Sequence, residues 1–192
     1  ATNASALPDL SMGLKKIPNG TFSGSLSGTF SMRGELEGSV TLALSTSKDT
    51  FSGSEDLDVQ LTQPTKVIWL HAKDLEISEA HVQVGAVRHA ARVIPGGAET
   101  IGLQLSDALP AGPARLGLTW TGHVSDSGDH GIFREREGGE AYLFSQFEAT
   151  SARNAFPCFD EPSMKVPWQL TLRVEPGAVA VSNTPIETDE VG

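Results

Sequence analysis

The strongest constraint on the fold is a long alternation of residue type with a period of two. From residue 21 to residue 42 the even positions are apolar or glycine, and the odd positions are polar. Successive side chains of a strand point to opposite faces of a sheet, so this pattern predicts β-structure with one buried face. The stretch is longer than an ordinary strand, so we expect it to bend at its glycines or to fold back as a hairpin.

Shorter runs of the same kind continue along most of the chain. Alternating or short continuous apolar runs predict further strands at residues 57–61, 67–70, 82–84, 101–105, 116–120, 142–144, 168–174 and 179–181. No segment sustains a period of 3.6, and the one helical prediction is a short turn near residues 151–155. The sequence therefore predicts an all-β fold, a β-sandwich or a bent arrangement of several sheets, with little helix.

Composition narrows the possible partners. The chain has 14 basic and 24 acidic residues, a net charge of −10, which argues against nucleic acid because phosphate binding needs a basic face. No apolar run approaches the roughly 18 residues of a membrane span. Cys158 is the sole cysteine, so an internal disulfide is impossible. The first six residues are small and polar, as at the mature end of an exported protein, and on this feature we favour export over a cytoplasmic location.

Residues 145–163, SQFEATSARNAFPCFDEPS, carry a denser mixture of chemistry than the rest of the chain. Arg153 precedes Asp160 by seven residues and could pair with it. Asp160 and Glu161 stand before a proline, which indicates a turn, and we interpret both carboxylates as structural. Cys158 has no cationic neighbour in the sequence and is also interpreted as structural. Three apolar residues are expected to anchor the segment by burial: Phe156, Pro157 and Phe159.

The order and spacing of this segment resemble the hallmark of the N-terminal domain of M1-family zinc aminopeptidases, which remove single residues from peptide amino termini. In that family a Thr/Ser-Gln-x-Glu run leads into Ala-Arg and then Phe-Pro-Cys-Phe-Asp-Glu-Pro. The same elements occupy residues 145–148, 152–153 and 156–162 here. Further similarities at 131–134, 165–172 and 182–185 extend the resemblance over about residues 40–187. The resemblance implies a saddle-like domain of bent sheets.

The resemblance also divides the chain into two parts. We expect residues 1–39 to form an N-terminal arm and a glycine-alternating strand extension, which the family pattern does not explain. Residues 40–192 form the M1-type β domain. In the family this domain usually runs on through further strands after its Ser-Asn-x-Pro turn, so the resemblance implies a domain truncated at its C-terminal end.

Two polar residues of the segment are the candidate binding residues. By resemblance, Glu148 binds the α-ammonium group of a peptide substrate, and Gln146 lines the pocket for the first side chain. Positions two apart in a strand point to the same face, and this period supports the pair. Without the resemblance, both would be interpreted as ordinary polar strand residues.

The zinc-binding motif of the family is missing from this chain. That motif, His-Glu-x-x-His on a helix, places two metal ligands on one helix face, and no two of the five histidines are four residues apart. We therefore assign no catalytic residue, no metal ligand and no cofactor to this chain. The resemblance implies that zinc is bound in a separate catalytic domain of the parent protein, against which this domain packs.

Three functions remain open. The first is the substrate-side domain of an M1-like aminopeptidase, inactive when isolated, with peptide amino termini and the catalytic domain as partners. The second is a non-enzymatic all-β interaction module that uses the glycine-alternating strand as a docking edge. The third is a degenerate family member in which the fold survives as a scaffold.

Overall fold

The computed structural model describes residues 38–44, 48–161, 164 and 166–189. Most of the N-terminal alternation therefore lies outside the described residues, and its described part is strand β1 (Gly38–Ala43). Val40 and Leu42 of β1 are buried, whereas Ser39 and Thr41 are half-buried. The predicted alternation of faces thus holds where the chain is described.

The described residues form eleven strands and one short 3₁₀ helix, Ala152–Asn154. This confirms the all-β prediction and the single helical turn. No helix in this part of the chain is long and apolar enough to cross a membrane. After β1, the strands are β2 (Thr50–Leu61), β3 (Thr65–His71), β4 (Leu75–Val84), β5 (Val87–Ala90), β6 (Arg92–Pro95), β7 (Thr100–Leu109), β8 (Gly112–His123), β9 (Gly131–Glu137), β10 (Glu140–Gln146) and β11 (Trp168–Arg173).

These strands form two larger sheets and a hairpin. The largest sheet has the order β11-β1-β2-β8-β4-β5, in which β1 runs parallel to β11 and the other neighbours are antiparallel. Its longest pairing joins β2 to β8 over their full length, from Thr50 opposite His123 to Leu61 opposite Gly112. The second sheet has the order β3-β7-β6. β9 and β10 form a two-stranded hairpin, and β9 also makes an isolated parallel bridge from Phe133 to Ser125.

One hydrophobic cluster joins the two larger sheets. Phe51, Leu116 and Trp120 line it from the six-stranded sheet, and Ile68 and Leu103 line it from the three-stranded sheet. Along β2 the buried residues fall on every second position, because only one face of that strand meets the other sheet. Burial of this shared face explains the sandwich arrangement.

The strand predicted at residues 179–181 is not formed. The described residues after β11 contain turns and bends but no strand. Val179 and Val181 are 86% and 83% exposed, so their alternation reflects no buried face. A strand also needs a neighbour to pair its backbone groups, and no described strand pairs with this segment.

Candidate functional site

The β9–β10 hairpin carries one predicted site residue, Gln146, at its end. Ile132 and Arg134 of β9 are only 4% and 6% exposed, and Leu143 of β10 packs against the core cluster. Arg134 and Leu143 are direct cross-strand partners, so they belong to the same face. Gln146 lies on the opposite face, because it is three residues from Leu143 along the strand. The inward contacts therefore fix how the hairpin presents Gln146.

Arg134 holds the hairpin to the body by charge. Its Nη1 donates hydrogen bonds to Asp49 (3.1 Å) and Asp126 (2.7 Å), and its Nη2 donates to the backbone carbonyl of Lys48. Asp49 immediately precedes β2, so the guanidinium ties the hairpin to the start of a central strand. A planar guanidinium with three acceptors around it has little freedom to reorient.

The turn after β10 brings the two predicted site residues together. β10 ends at Gln146, so Glu148 is not a strand residue, and the prediction that a shared strand face pairs them is wrong. The side-chain Oε1 of Gln146 accepts hydrogen bonds from the backbone N–H groups of Phe147 (3.0 Å) and Glu148 (3.4 Å). These local bonds satisfy backbone donors that a continued strand would offer to a neighbour, and the chain turns here instead.

Glu148 lies exposed on this turn. Its carboxylate makes no hydrogen bond or ion pair with any residue that the structure describes. The residue before it, Phe147, packs edge-on against Phe156 with ring centroids 5.5 Å apart, and Phe156 in turn contacts Trp168 of β11 at 5.3 Å. The backbone beside Glu148 is thus fixed by aromatic packing, while the carboxylate oxygens remain able to accept hydrogen bonds.

Arg153 organises the loop that follows. Its Nε and its backbone N–H both donate to Oδ2 of Asp160, at 2.9 and 3.1 Å, and its Nη2 donates to the Asp160 carbonyl at 2.9 Å. Its Nη1 donates to Glu99 at 2.9 Å. The predicted Arg153–Asp160 pair is therefore confirmed. The neighbouring Ala155 carbonyl accepts a hydrogen bond from Trp120 Nε1 at 2.8 Å, which joins the loop to the core.

His71, at the end of β3, docks the same loop to the second sheet. Its backbone forms a two-way antiparallel bridge with Cys158, at 2.8 and 2.9 Å, and its Nδ1 accepts a hydrogen bond from the Asp160 N–H at 3.2 Å. Burial, together with the charge of Arg153, lowers the pKa of His71 to about 4. The ring is thus neutral near pH 7, as an accepting Nδ1 requires.

Sequence analysis missed the roles of His71, Lys73 and Glu99. Lys73 Nζ donates to Glu99 at 2.9 Å, and this hydrogen bond lowers the pKa of the Glu99 carboxyl. The backbone N–H of Lys73 also donates to the Arg153 carbonyl at 2.9 Å. Glu99 lies 54 residues from Arg153 in the chain, and no local pattern announces a contact of that range.

The buried thiol and carboxyl groups of the loop support a structural role. Cys158 is 4% exposed, and burial raises its thiol pKa well above the usual range, so it is not a nucleophilic thiolate. Asp160 is 9% exposed and fully engaged by Arg153. Burial also raises the pKa of Glu161, whose Oε1 lies 3.9 Å from Nε2 of His71. Pro157 is fully buried, and Phe156 and Phe159 pack against the core as expected.

No metal centre is found in the described part of the chain. No three histidine, cysteine, aspartate or glutamate side chains among those residues are placed to hold a metal ion. The described residues therefore do not fit a zinc site. What the loop and hairpin offer is an exposed carboxylate beside a fixed amide, on a base of buried ion pairs.

The sequence matches a known family over most of its length. The Peptidase M1 N-terminal domain family matches residues 34–192. The chain belongs to the M1 aminopeptidase family. It is 36% identical to Aminopeptidase M1-A of Oryza sativa subsp. japonica over 152 residues, which cover 73% of this chain and 17% of the relative.

Relatives from distant organisms show similar sequence identity and coverage. The chain is 35% identical to Endoplasmic reticulum aminopeptidase 1 of Homo sapiens, over 71% of this chain and 16% of that protein. It is 34% identical to Probable M1 family aminopeptidase 1 of Encephalitozoon cuniculi, over 70% of this chain and 16% of that protein. The M1 chain thus spans about one sixth of the length of the curated relatives it matches.

Proposed function

We propose that this M1 domain forms the substrate-side wall of a zinc-dependent aminopeptidase and that Glu148 binds the α-ammonium group of the peptide. The observation that carries the proposal is the state of Glu148. Its carboxylate is exposed and has no partner among the described residues, yet it sits on a turn fixed by Gln146 and by the Phe147–Phe156 contact. The aminopeptidase names of the relatives support the reaction class.

An enzyme that removes one residue at a time must distinguish a free amino terminus from an internal peptide bond. The α-ammonium group offers a positive charge and several N–H donors, which an internal amide lacks. A carboxylate held in place binds such a group through charge-assisted hydrogen bonds, which are roughly twice as strong as neutral ones. Glu148 has this chemistry, and its fixed backbone limits the entropy lost on binding.

We assign Gln146 to the pocket for the first side chain. Two backbone N–H groups hold its Oε1, so the amide orientation is defined and Nε2 remains as a possible donor to the substrate. A residue held by its own turn changes position little when substrate binds, which suits a pocket wall.

The zinc-binding and catalytic residues are assigned to another part of the parent protein. This assignment agrees with the lack of a metal-binding group among the described residues and with the greater length of the relatives. The domain is then a partner of that catalytic part and closes one side of the cleft. The isolated chain is expected to lack peptidase activity.

The test compares two carboxylates in the full-length protein with fluorogenic aminoacyl amides. Replacing Glu148→Ala removes the proposed ammonium ligand, and loss of a hydrogen bond to a charged group costs about 1.5–3 kcal/mol. We expect kcat/KM to fall roughly 10- to 150-fold, mostly through KM if the ammonium is bound equally in the ground and transition states. Glu76→Ala, an exposed glutamate on β4, is the matched control and should leave both constants unchanged.

A second substrate pair isolates amine recognition. The wild-type protein should cleave a free-amine substrate and reject its N-acetylated form. Glu148→Ala should reduce the ratio of kcat/KM for the free-amine substrate to kcat/KM for the N-acetylated one. Cleavage that is abolished by a metal chelator would support the zinc-dependent class. No cleavage by the full-length protein would favour the interaction-module or scaffold function, and unaltered amine selectivity in Glu148→Ala would reject the role of this residue.

A further inference from the structure

The outward face of the β9–β10 hairpin exposes aromatic side chains next to Gln146. Tyr142 and Phe144 are 49% and 50% exposed. Phe133 lies directly opposite Phe144 and stacks on it, with ring centroids 5.8 Å apart and an interplanar angle of 28°. Gln146 follows Phe144 by two positions on the same strand and so shares this face. Aromatic surface exposed in one continuous strip marks an interaction surface.

Farther from Gln146 the same face becomes acidic. Glu135 lies opposite Tyr142, and Glu137 lies opposite Glu140 at the far end of the hairpin. All three glutamates are exposed. The face therefore changes in order from an amide to stacked aromatic rings and then to carboxylates.

We propose that this face binds the part of the peptide that follows its first residue, and that it selects an apolar or aromatic side chain near the amino terminus followed by a basic side chain. We call the face the hairpin track; it consists of Phe133, Glu135, Glu137, Glu140, Tyr142 and Phe144. The inference rests on the proposed function, because the α-ammonium group at Glu148 sets where the peptide begins.

The dimensions of the hairpin track match an extended peptide. A strand rises about 3.4 Å per residue, so the six steps from Gln146 to Glu140 span about 20 Å, or roughly six residues of an extended substrate. The aromatic rings would meet side chains close to the amino terminus, and the glutamates would meet side chains farther along. Apolar contact with the rings supplies most of the binding energy, and the exposed carboxylates add a smaller, salt-sensitive preference.

A peptide fits this surface better than the catalytic part of the parent protein does. The centre of a protein interface is depleted of charged residues, because unpaired charges are costly to bury. Three neighbouring exposed glutamates at one end of the track would be unfavourable there. They suit instead a ligand that passes over the surface, leaves it solvated and carries positive charge.

The test measures peptide preference in the full-length protein. Two hexapeptides share their first residue and carry either leucine or serine at the second and third positions. An aminoacyl amide of the same first residue is the reference substrate. For each protein we divide kcat/KM for the leucine hexapeptide by kcat/KM for the amide, and we expect Phe144→Ser to lower this ratio by about tenfold. Tyr142→Ser should lower it less. Val87→Ser, at an exposed valine on β5, should leave the ratio unchanged.

The acidic end is tested with a second peptide pair that differs by lysine or serine at the sixth position. Glu140→Gln should reduce the preference for lysine by about two- to threefold, and 0.5 M salt should reduce it in the wild-type protein. Loss of this preference without loss of the leucine preference would confirm that the two ends of the track act on different parts of the peptide.

Two outcomes would overturn the inference. Equal losses on the leucine hexapeptide and on the amide would mean that the face packs against the catalytic part, and an unchanged ratio in Phe144→Ser would mean that no peptide contacts it. These two outcomes are distinguishable from failure of the proposed function. If the proposed function fails, Glu148→Ala leaves the amine selectivity unaltered, whatever effect the hairpin variants have.

Discussion

At the scale of single residues, Glu55 has the environment least suited to its chemistry. It lies on the core-facing side of β2, is 5% exposed, and both carboxyl oxygens are buried without a hydrogen-bond partner among the described residues. Burial, and secondarily the charge of Asp56, raises the pKa of Glu55 well above the usual range. The group is therefore held neutral in the fold, at the cost of two unsatisfied polar atoms.

From the burial of Glu55 we predict that the free energy of unfolding falls as the pH rises. Its folded-state pKa lies above the unfolded value of about 4.3, so its contribution is complete below that pH and is lost as the pH rises toward the folded pKa. Glu55→Leu removes the buried polar atoms and should raise the free energy of unfolding at pH 8 by about 1–3 kcal/mol.

Urea unfolding of the 192-residue chain at pH 5 and pH 8 measures the effect of Glu55. The difference between wild type and Glu55→Leu should be larger at pH 8 than at pH 5. Glu76→Leu, an exposed glutamate on β4, is the control and should show no such gain. A difference that does not grow with pH would mean that the Glu55 carboxyl finds a partner.

From the burial of His71 we predict the opposite pH dependence of the free energy of unfolding at acid pH. Its folded-state pKa of about 4 lies below the unfolded value of about 6.5. Its contribution to stability is therefore complete above pH 6.5 and is lost as the pH falls toward 4, and it amounts to roughly 3 kcal/mol. NMR titration of the His71 ring in the 192-residue chain checks this directly, and a midpoint near 6.5 would contradict it. His71→Asn should flatten the acid side of the stability profile.

At the scale of elements, a short irregular loop is joined to two sheets. The 3₁₀ helix (Ala152–Asn154) and the residues after it are bonded to β3 through His71, to β8 through Trp120, and to Glu99 through Arg153. An irregular segment leaves many backbone groups without ladder partners, and these side-chain bonds satisfy several of them. The loop thereby becomes a rigid base for the turn that carries Glu148.

Loss of the Asp160 carboxylate should increase local opening of this loop without unfolding the rest of the domain. Asp160→Asn removes one of the two carboxylates that face the buried Arg153, and because Glu99 still pairs with the guanidinium, the cost should be below the roughly 3–5 kcal/mol of an uncompensated buried charge. Hydrogen exchange of the 192-residue chain should show faster exchange at the amides of His71 and Cys158, which form the bridge to β3.

The exposed pair Asp58–Arg115 supplies the matched control for Asp160→Asn. Its oxygen and nitrogen atoms lie 2.7 Å apart on the surface between β2 and β8. Asp58→Asn should cost no more than about 1 kcal/mol and leave the His71 and Cys158 amides protected. Equal exchange in the two variants would contradict the proposed role of the Arg153 network.

At the scale of the whole molecule, the domain carries the candidate site on a two-sheet body. The shared core between the six-stranded and three-stranded sheets fixes the body, and the β9–β10 hairpin projects its outer face away from it. The charged side chains of Arg134, Arg153 and Asp160 are buried, whereas Glu148 and most of the hairpin track are exposed. This division of polar groups is consistent with the proposed substrate-side role.

The isolated 192-residue chain is expected to be folded but without peptidase activity. Far-UV circular dichroism should show β-structure, and aminoacyl amides should remain uncleaved with or without added zinc. Isothermal titration should detect no tight zinc binding, because no metal-binding group is found among the described residues. Activity that depends on zinc and copurifies with this chain would refute the assignment of catalysis to another part of the parent.

The sequence by itself determined the fold class, most strands, the family and the Arg153–Asp160 pair. These follow from short-range signals, since a period of two reports a buried face and the hallmark segment is contiguous. The domain boundary near residue 40 and the roles of Gln146 and Glu148 remain predictions. Tertiary structure alone decided the end of β10, the missing strand at 179–181, and the contacts of His71 with Asp160 and of Glu99 with Arg153. The last two depend on which groups find distant partners, and the end of β10 depends on side-chain hydrogen bonds made by Gln146; local periodicity records neither.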